Sequence, residues 1–423
     1  MTLWLYRGLI RLLGPVLLLT TLWRYRQYGN QRQAIAERLG WVNAPAASVI
    51  WVHAASVGEV RAVAAVVQQA LDAGHAVHLT TNTPTGRQAA WERFGDTLTQ
   101  SYPPLDTPAA VKRFLNRLQP RAAIRVELEL WPTLLIALQQ SGIKTALINA
   151  RLSERSLQHY QRLRGLMPRV LAAFDWVGVQ SQADAQRLQA LGLAAARIDV
   201  TGNLKFDQVL DSAQVAAGRH WRTTHAAKRP VWVAASVRDG EGAIVVEAHQ
   251  RLRERYPEAL LLLVPRHPAS FQLPPLPDAW GSNGCAQHSK SERVDADTAM
   301  VLGDTMGELT MFLAAADIAF VGGSLVPVGG HNPLEPAVLG LPIIMGPHVF
   351  NFAGVDALLA AAGGRYRVAN SADLAATLES LFDDAAMRER AGSQALSVVN
   401  QHRGAAQRTW QQLTQHLELT ALE

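Results

Sequence analysis

One cysteine, Cys285, stands among 423 residues. No internal disulfide can form, and a cysteine-based zinc site is excluded. Charge is also sparse. Only 18% of residues are Asp, Glu, Lys or Arg, and the net charge is +5. That surplus is too small and too scattered to argue for nucleic acid, though it favours anionic substrates or an anionic membrane surface. The chain has no internal repeat and no low-complexity tract. No set of histidines and carboxylates has metal-ligand spacing, so no metal and no cofactor is expected. What the chain does have is apolar content, 48% of residues, and enough length for two domains of ordinary size.

The N-terminus reads differently from the rest. Leu12 to Trp23 is uncharged and mostly apolar, but about 20 such residues are needed to span a bilayer. Extending the run back to Met1 brings in Arg7 and Arg11, which can snorkel. Arg24 and Arg26 follow, and Trp4, Tyr6, Trp23 and Tyr25 are aromatics of the interfacial kind. No small-residue cleavage site comes after the run, so a signal peptide fits poorly. The expectation is a tilted or interfacial membrane anchor over residues 1–27.

Strand and helix patterns then alternate. Strands are predicted at Val49–Val52, Ala76–Thr80, Ala122–Val126, Thr145–Ile148, Trp176–Val179 and Ile198–Val200, with helices between them, for example Val60–Leu71 and Leu157–Leu171. A polar, strand-free stretch from Asp207 to Arg229 follows. The alternation restarts at Val231–Ala235, Leu260–Val264, Met300–Leu302, Ile318–Val321 and Ile343–Met345. This is the pattern of an α/β protein with two doubly wound parallel-sheet domains. Their expected bounds are 28–210 and 211–400, with 401–423 a C-terminal helix packing back towards the first domain. Ligands of such sheets bind beyond the carboxyl ends of the strands. Two such domains facing each other would make one cleft, with a nucleotide on one wall and an acceptor on the other.

The chemistry-bearing residues fall at those strand ends. The stretch IAFVGGSLVPVGGHNPLEPAVLGLPIIMGPHVFNF, Ile318 to Phe352, reads as a buried strand, a glycine-rich turn and a helix start with Asn332 as cap, Pro333 at the first position and Glu335 at the third. Unpaired N–H groups there suit a phosphate, or they merely begin a well-capped helix. His53-Ala54-Ala55-Ser56-Val57-Gly58-Glu59 has capping-box spacing between Ser56 and Glu59, and a carboxylate at a strand end is also where a general base would sit. Glu127 and Glu129, at i and i+2 of an extended segment, share a face that could hold developing positive charge or pair with Arg125. Lys205 could neutralise a phosphate or carboxylate, or be a surface lysine. Arg266 and His267 are basic groups fixed between prolines at a strand end. Thr305 and Glu308 form a second capping-box pattern. His75 and His78, read as alternating on a strand, are expected to be structural rather than metal ligands. Together these placements point to a nucleotide-sugar transferase.

HAASVGE, ELELWP, TGNLKFD, PRHP, LGDTMGEL, VGGSLVPVGGHNPLEPA and GPHVFNF, in that order, resemble the motifs of the bacterial Kdo (3-deoxy-D-manno-octulosonic acid) transferases. With Glu37-Arg38-Leu39-Gly40 and the anchor, the resemblance covers nearly the whole chain. It implies the GT-B fold: two facing Rossmann-like domains. It implies Kdo transfer from CMP-Kdo to the lipid A precursor, lipid IVA, at the cytoplasmic face of the bacterial inner membrane, without a metal. Carried over by position, it makes Glu59 the proton acceptor and Glu129 and Lys205 the groups that stabilise the transition state. It gives CMP to Arg266, His267, Met306, Gly307, Glu308, Asn332, Pro333, Leu334 and Glu335. Two stretches depart from the family pattern. ELELWP stands where ETELWP is frequent, with both carboxylates kept. Val237 and Arg238 stand where the family commonly shows Thr-His. A uridine-nucleotide enzyme or an epimerase of the same fold would not need the anchor, and a non-catalytic anionic-lipid binder would not need Glu59.

Overall fold

The structure, a computed structural model, describes residues 2–26, 31–45, 47–163 and 165–419, with backbone only for Leu17 and residues 22–25. The side chains of Trp23, Arg24 and Tyr25, and the expected boundary between residues 27 and 28, lie outside the described residues. The chain forms two compact units. One runs to Asp207 and resumes at His402; the other is Gln208–Gln401.

In the first unit the strands are β1 (Ile50–His53), β2 (Val77–Thr80), β3 (Thr99–Ser101), β4 (Ala122–Val126), β5 (Lys144–Ala150), β6 (Trp176–Val179) and β7 (Ile198–Val200). They make one sheet in the order β3-β2-β1-β4-β5-β6-β7, parallel throughout. In the second unit they are β8 (Val231–Val237), β9 (Leu260–Pro265), β10 (Cys285–Gln287), β11 (Met300–Leu302), β12 (Ile318–Val321), β13 (Ile343–Met345) and β14 (Arg365–Arg367). Their order is β10-β11-β9-β8-β12-β13-β14, again all parallel. Each sheet reverses its winding once, at β1/β4 in the first and at β8/β12 in the second. Those switch points are where open α/β sheets bind ligands.

The inner strands are unbroken apolar runs because helices cover both faces. β1, β4, β9 and β12 are buried at every position. The strands not anticipated, β3, β10 and β14, are all sheet edges and read Thr-Gln-Ser, Cys-Ala-Gln and Arg-Tyr-Arg. An edge strand is partly solvated, so it carries no apolar run to betray it. One further expectation is corrected and a second gains a detail. The helix expected over Leu157–Leu171 is two short ones, Glu154–Gln161 and Met167–Leu171. The stretch Asp207–Arg229 is strand-free but holds a helix, Ser212–His225.

The helix Val57–Asp72 buries Val60, Val63, Val67 and Ala70, one stripe at helical spacing. The C-terminal helix Ala405–His416 adds Ala405, Ala406 and Leu413 to the same core. Asp207 fixes its start, accepting from the N–H groups of Gly404 and Ala406 at 2.6 and 2.5 Å.

The N-terminal helix Leu3–Tyr25 includes a segment, Leu3–Thr21, long and apolar enough to cross a membrane by length and composition. Trp4 and Leu12 are 80% and 79% exposed along it. Leu3 and Tyr6 nevertheless pack on the core of the first unit. The Tyr6 hydroxyl donates to Asp106 Oδ2 at 2.8 Å. Asp106 also accepts from the N–H groups of Thr133 and Leu134, the first turn of the helix Pro132–Gln140. The apolar helix is thereby tied to the segment that follows β4.

Candidate active site

At the β1/β4 switch point the chain places its carboxylates. Ser56 caps the helix Val57–Asp72, accepting from Glu59 N–H at 3.3 Å, and its own hydroxyl donates to Glu59 Oε1 at 3.0 Å. Glu59 Oε2 accepts from Ala55 N–H at 2.8 Å. The capping box is therefore real, and the same carboxylate has an unusual proton affinity. Burial, with added repulsion from Glu127 and Glu129, outweighs those hydrogen bonds and lifts its pKa to about 7.

Glu127 and Glu129 do not share the face of an extended segment, as the i, i+2 spacing suggested. Glu127 sits at φ 55°, in the left-handed region, so the chain turns there. The two carboxylates part company. Glu127 Oε1 pairs with Lys205 Nζ at 3.0 Å. Glu129 Oε2 faces His53 Nε2 at 3.9 Å. Burial alone would raise the Glu129 pKa, but the His53 ring and the Arg125 guanidinium together hold it low. His53 is fully buried, its Nδ1 2.8 Å from Thr80 Oγ1, and burial beside Arg125 lowers its pKa to about 3. It is a neutral imidazole, so it acts on Glu129 as a dipole rather than as a cation.

Arg125 is also fully buried. It does not form the ion pair with a glutamate that the sequence allowed. One guanidinium N–H donates to the backbone carbonyl of Glu129 at 3.2 Å. The group lies over the rings of Trp131 and Trp51, 4.6 and 5.7 Å from their centroids. Lys205 stands on a short turn, Leu204–Asp207, held by Asn149 Oδ1, which accepts from Leu204 N–H at 3.0 Å.

The second unit gathers basic groups instead. Arg238 follows β8, Arg266 and His267 follow β9, and His331 closes the glycine-rich loop after β12. Arg266 N–H donates to Val237 O at 2.9 Å, which sets the two arginines side by side. A methyl group on Gly323 would lie 2.9 Å from the His331 ring and 3.6 Å from Arg238 Cγ, so only glycine leaves room for both. Burial, then Arg266, Arg238 and His267, lower the His331 pKa to about 4, and its Nε2 has no hydrogen-bond partner among the described residues.

The N–H groups after β12 are not all unpaired, as the sequence suggested. Glu241, fully buried, takes three of them: Gly323 at 2.6 Å, Ser324 at 3.0 Å and Leu325 at 2.9 Å. It also accepts from Arg238 N–H at 2.9 Å. A resident carboxylate thus fills the turn that read as a phosphate cradle. The following helix is also shorter and later than expected. It spans Leu334–Val338, with Pro333 at the cap position. Asn332 Oδ1 still accepts from Leu334 N–H at 3.1 Å, while its amide donates to Glu335 Oε1 at 3.2 Å and Gln208 Oε1 at 2.8 Å.

Thr305 does donate to Glu308, but the helix begins only at Leu309, and Glu308 also faces His288 Nε2 at 3.3 Å. Met306 is 68% exposed and Gly307 has φ 89°, so these two form the tip of a turn after β11. His78 is structural, bonded to Thr99 and Ser101 of β3, whereas His75 lies before β2 rather than on it. Sequence reading gave no role to Arg238, Glu241 or His331. Their one signal was position, since each follows β8 or β12 at the switch point.

Comparison with known proteins agrees with this architecture. Residues 33–208 match the family described as 3-Deoxy-D-manno-octulosonic-acid transferase (kdotransferase). A 3-deoxy-D-manno-octulosonic acid transferase of Haemophilus influenzae is 38% identical over 395 residues, 92% of each chain. Another, from Bordetella pertussis, is 37% identical over 422 residues, 96% of this chain and 97% of that one. Among solved structures, a glycosyltransferase from Rickettsia africae matches with TM-score 0.57 at 12% identity, covering 88% of this chain and 100% of its own. Its likeness shows the fold alone, which is GT-B. The chain is a glycosyltransferase, and it belongs to the 3-deoxy-D-manno-octulosonic acid transferase family.

Proposed function

We propose that this transferase moves Kdo from CMP-Kdo to lipid IVA at the cytoplasmic face of the inner membrane, with Glu59 as the base. The observation that carries the reading is the Glu59 carboxylate, which stands at a switch point with its pKa raised to about 7. An acceptor hydroxyl must lose its proton as its oxygen bonds to the anomeric carbon of Kdo. The bond from that carbon to the phosphate oxygen breaks, CMP leaves with the electron pair, and Glu59 keeps the proton. A base with a pKa near the working pH is well matched to that task.

Glu129 offsets positive charge developing on the sugar. Lys205 meets an anionic group of the substrate, exchanging Glu127 for it, since the two are paired at 3.0 Å in the free protein. Arg266 and His267, the turn Met306-Gly307-Glu308 and the segment Asn332-Pro333-Leu334-Glu335 hold CMP. The basic groups among them stabilise the leaving phosphate. The apolar helix Leu3–Tyr25, with Arg7 and Arg11, attaches the enzyme to the anionic membrane in which the acceptor resides.

The test is turnover of CMP-Kdo with a tetraacylated lipid A precursor in detergent, read as released CMP and as a product heavier by Kdo. Kdo transfer to lipid IVA by wild type, lost in Glu59→Gln, is the expected result. Wild-type turnover of CMP-Kdo with some other acceptor, and none with lipid IVA, would overturn the acceptor assignment.

A further inference from the structure

We propose that His331 and Arg238 complete the anion site of the second unit, and that His331 takes up a proton when a nucleoside monophosphate binds there. The inference rests on the donor reading above and extends it to two residues outside the family-derived set. It begins from topology. The sheet of this unit reverses at β8/β12, and the residues leaving those two strands are Arg238 and the loop that ends in His331. Arg266 and His267 leave β9, which pairs with β8. The assigned turn Met306–Glu308 follows β11, two strands away from β8 and on the far side of β9. The centre of the switch point is therefore held by Arg238 and His331.

Chemistry then selects the ligand. Every titratable group found to act on His331 is basic: Arg266, Arg238 and His267. No acid is among the groups that act on His331. Glu241 is occupied by four backbone N–H groups, and Asp239 acts on His267. His331 Nε2 is buried and has no partner among the described residues. A neutral ring nitrogen left open among cations is a poor resting arrangement, and it becomes a favourable one when an anion with several acceptor oxygens arrives. The phosphate of CMP is such an anion, carrying close to two negative charges near neutral pH.

The proton follows from the sign of the field. Burial, then Arg266, Arg238 and His267, hold the His331 pKa at about 4, so the ring is neutral at pH 7. A bound phosphate reverses the local charge and gives the ring N–H an acceptor, and both effects favour the imidazolium. Linkage then requires that binding take up as much as about one proton per nucleotide, in the window between the free and the bound pKa.

The experiment uses the full-length protein with selectively labelled histidines and CMP as the probe. Histidine NMR titrations are recorded without CMP and at saturating CMP, with His331 assigned from the His331→Asn spectrum. His331 is expected to titrate at least one pH unit higher in the complex, which corresponds to about a tenfold or greater change in proton affinity. Calorimetry in buffers of different ionisation enthalpy should show more protons taken up by wild type than by His331→Asn. Arg238→Gln should weaken CMP binding roughly tenfold or more with the fold intact. An unmoved His331 resonance in protein saturated with CMP overturns the proposal and leaves the donor reading standing. Absence of CMP binding by folded wild type overturns both. The wild-type titration decides the matter even if His331→Asn fails to fold, because the resonance that CMP shifts can then be assigned from His331→Gln.

Discussion

Replacing Glu59 by glutamine separates proton acceptance from helix capping. One carboxylate oxygen accepts from Ala55 N–H at 2.8 Å and the other from the Ser56 hydroxyl at 3.0 Å. The glutamine carbonyl keeps the first bond, and its amide can donate to Ser56 Oγ, so the helix start survives. What disappears is the base. General-base catalysis contributes roughly 100- to 10,000-fold, so Kdo transfer in the turnover assay should fall by that order while CMP affinity is unchanged. Stability should move the other way. The folded state holds the Glu59 proton up to about pH 7, beyond its ordinary release, because of burial and the neighbouring Glu127 and Glu129. Across that window the folded protein binds more protons than the unfolded chain, so unfolding free energy falls as pH rises. Ionising Glu59 then costs at most about 3 kcal/mol above the window. Glutamine removes the cost. Glu59→Gln should therefore melt above wild type at pH 8.5 and level with it at pH 5, by circular dichroism. Wild-type turnover should rise with pH along a limb near 7. A Gln variant with near-native turnover would send the search for the base to Glu127 or Glu129. Loss of turnover without the stability gain would mean that Glu59 does not carry a buried charge.

Lys205→Met should lower turnover by roughly 100- to 1,000-fold if the lysine meets developing negative charge. Its half-exposed pair with Glu127 should be worth no more than about 1 kcal/mol in urea unfolding. Glu241→Ala strands the buried N–H groups of Gly323, Ser324 and Leu325 and should cost at least about 3 kcal/mol in the same measurement. Deleting residues 1–23 should release the protein from membranes in flotation assays with both units still folded by circular dichroism, and continued sedimentation with salt-washed membranes would refute the anchor.

The inner architecture was legible because it is written in apolar runs. β4, β6, β11, β12 and β13 begin and end where their sequences predict, and an inner strand buried on both faces can hardly read otherwise; β7, an edge strand, was the exception among the edges in being foreseen. The edges β3, β10 and β14 were illegible for the converse reason. Site geometry was legible only as far as local spacing could carry it. The Ser56–Glu59 box was foreseen because its partners lie three residues apart on one helix turn. The occupant of the glycine turn was not, because Glu241 and Ser324 are brought together only by the pairing of β8 with β12. The divergence of Glu127 from Glu129 was hidden too. A left-handed φ at a glutamate has no sequence signature comparable with glycine.

One regularity joins the two units without reference to how they are arranged. Each carries a fully buried charge beside its switch point, opposite in sign to the groups that line it: Arg125 behind the carboxylates, Glu241 behind the bases. Neither forms a side-chain ion pair with those groups among the described residues. Arg125 bonds to the Glu129 carbonyl, and Glu241 bonds to backbone N–H groups. Each therefore fixes the shape of a loop through backbone groups. The field persists because it is not cancelled by pairing. His53 and Arg125 keep Glu129 ionised despite burial, while Glu59, buried and set against two carboxylates, retains its proton to near neutrality despite its capping bonds. Two acids on neighbouring turns thus receive opposite pKa shifts: burial and two carboxylates raise Glu59 against its capping bonds, while His53 and Arg125 lower Glu129 against its burial. Under the proposed reading, that contrast is what lets Glu129 stay charged beside the sugar while Glu59 exchanges a proton.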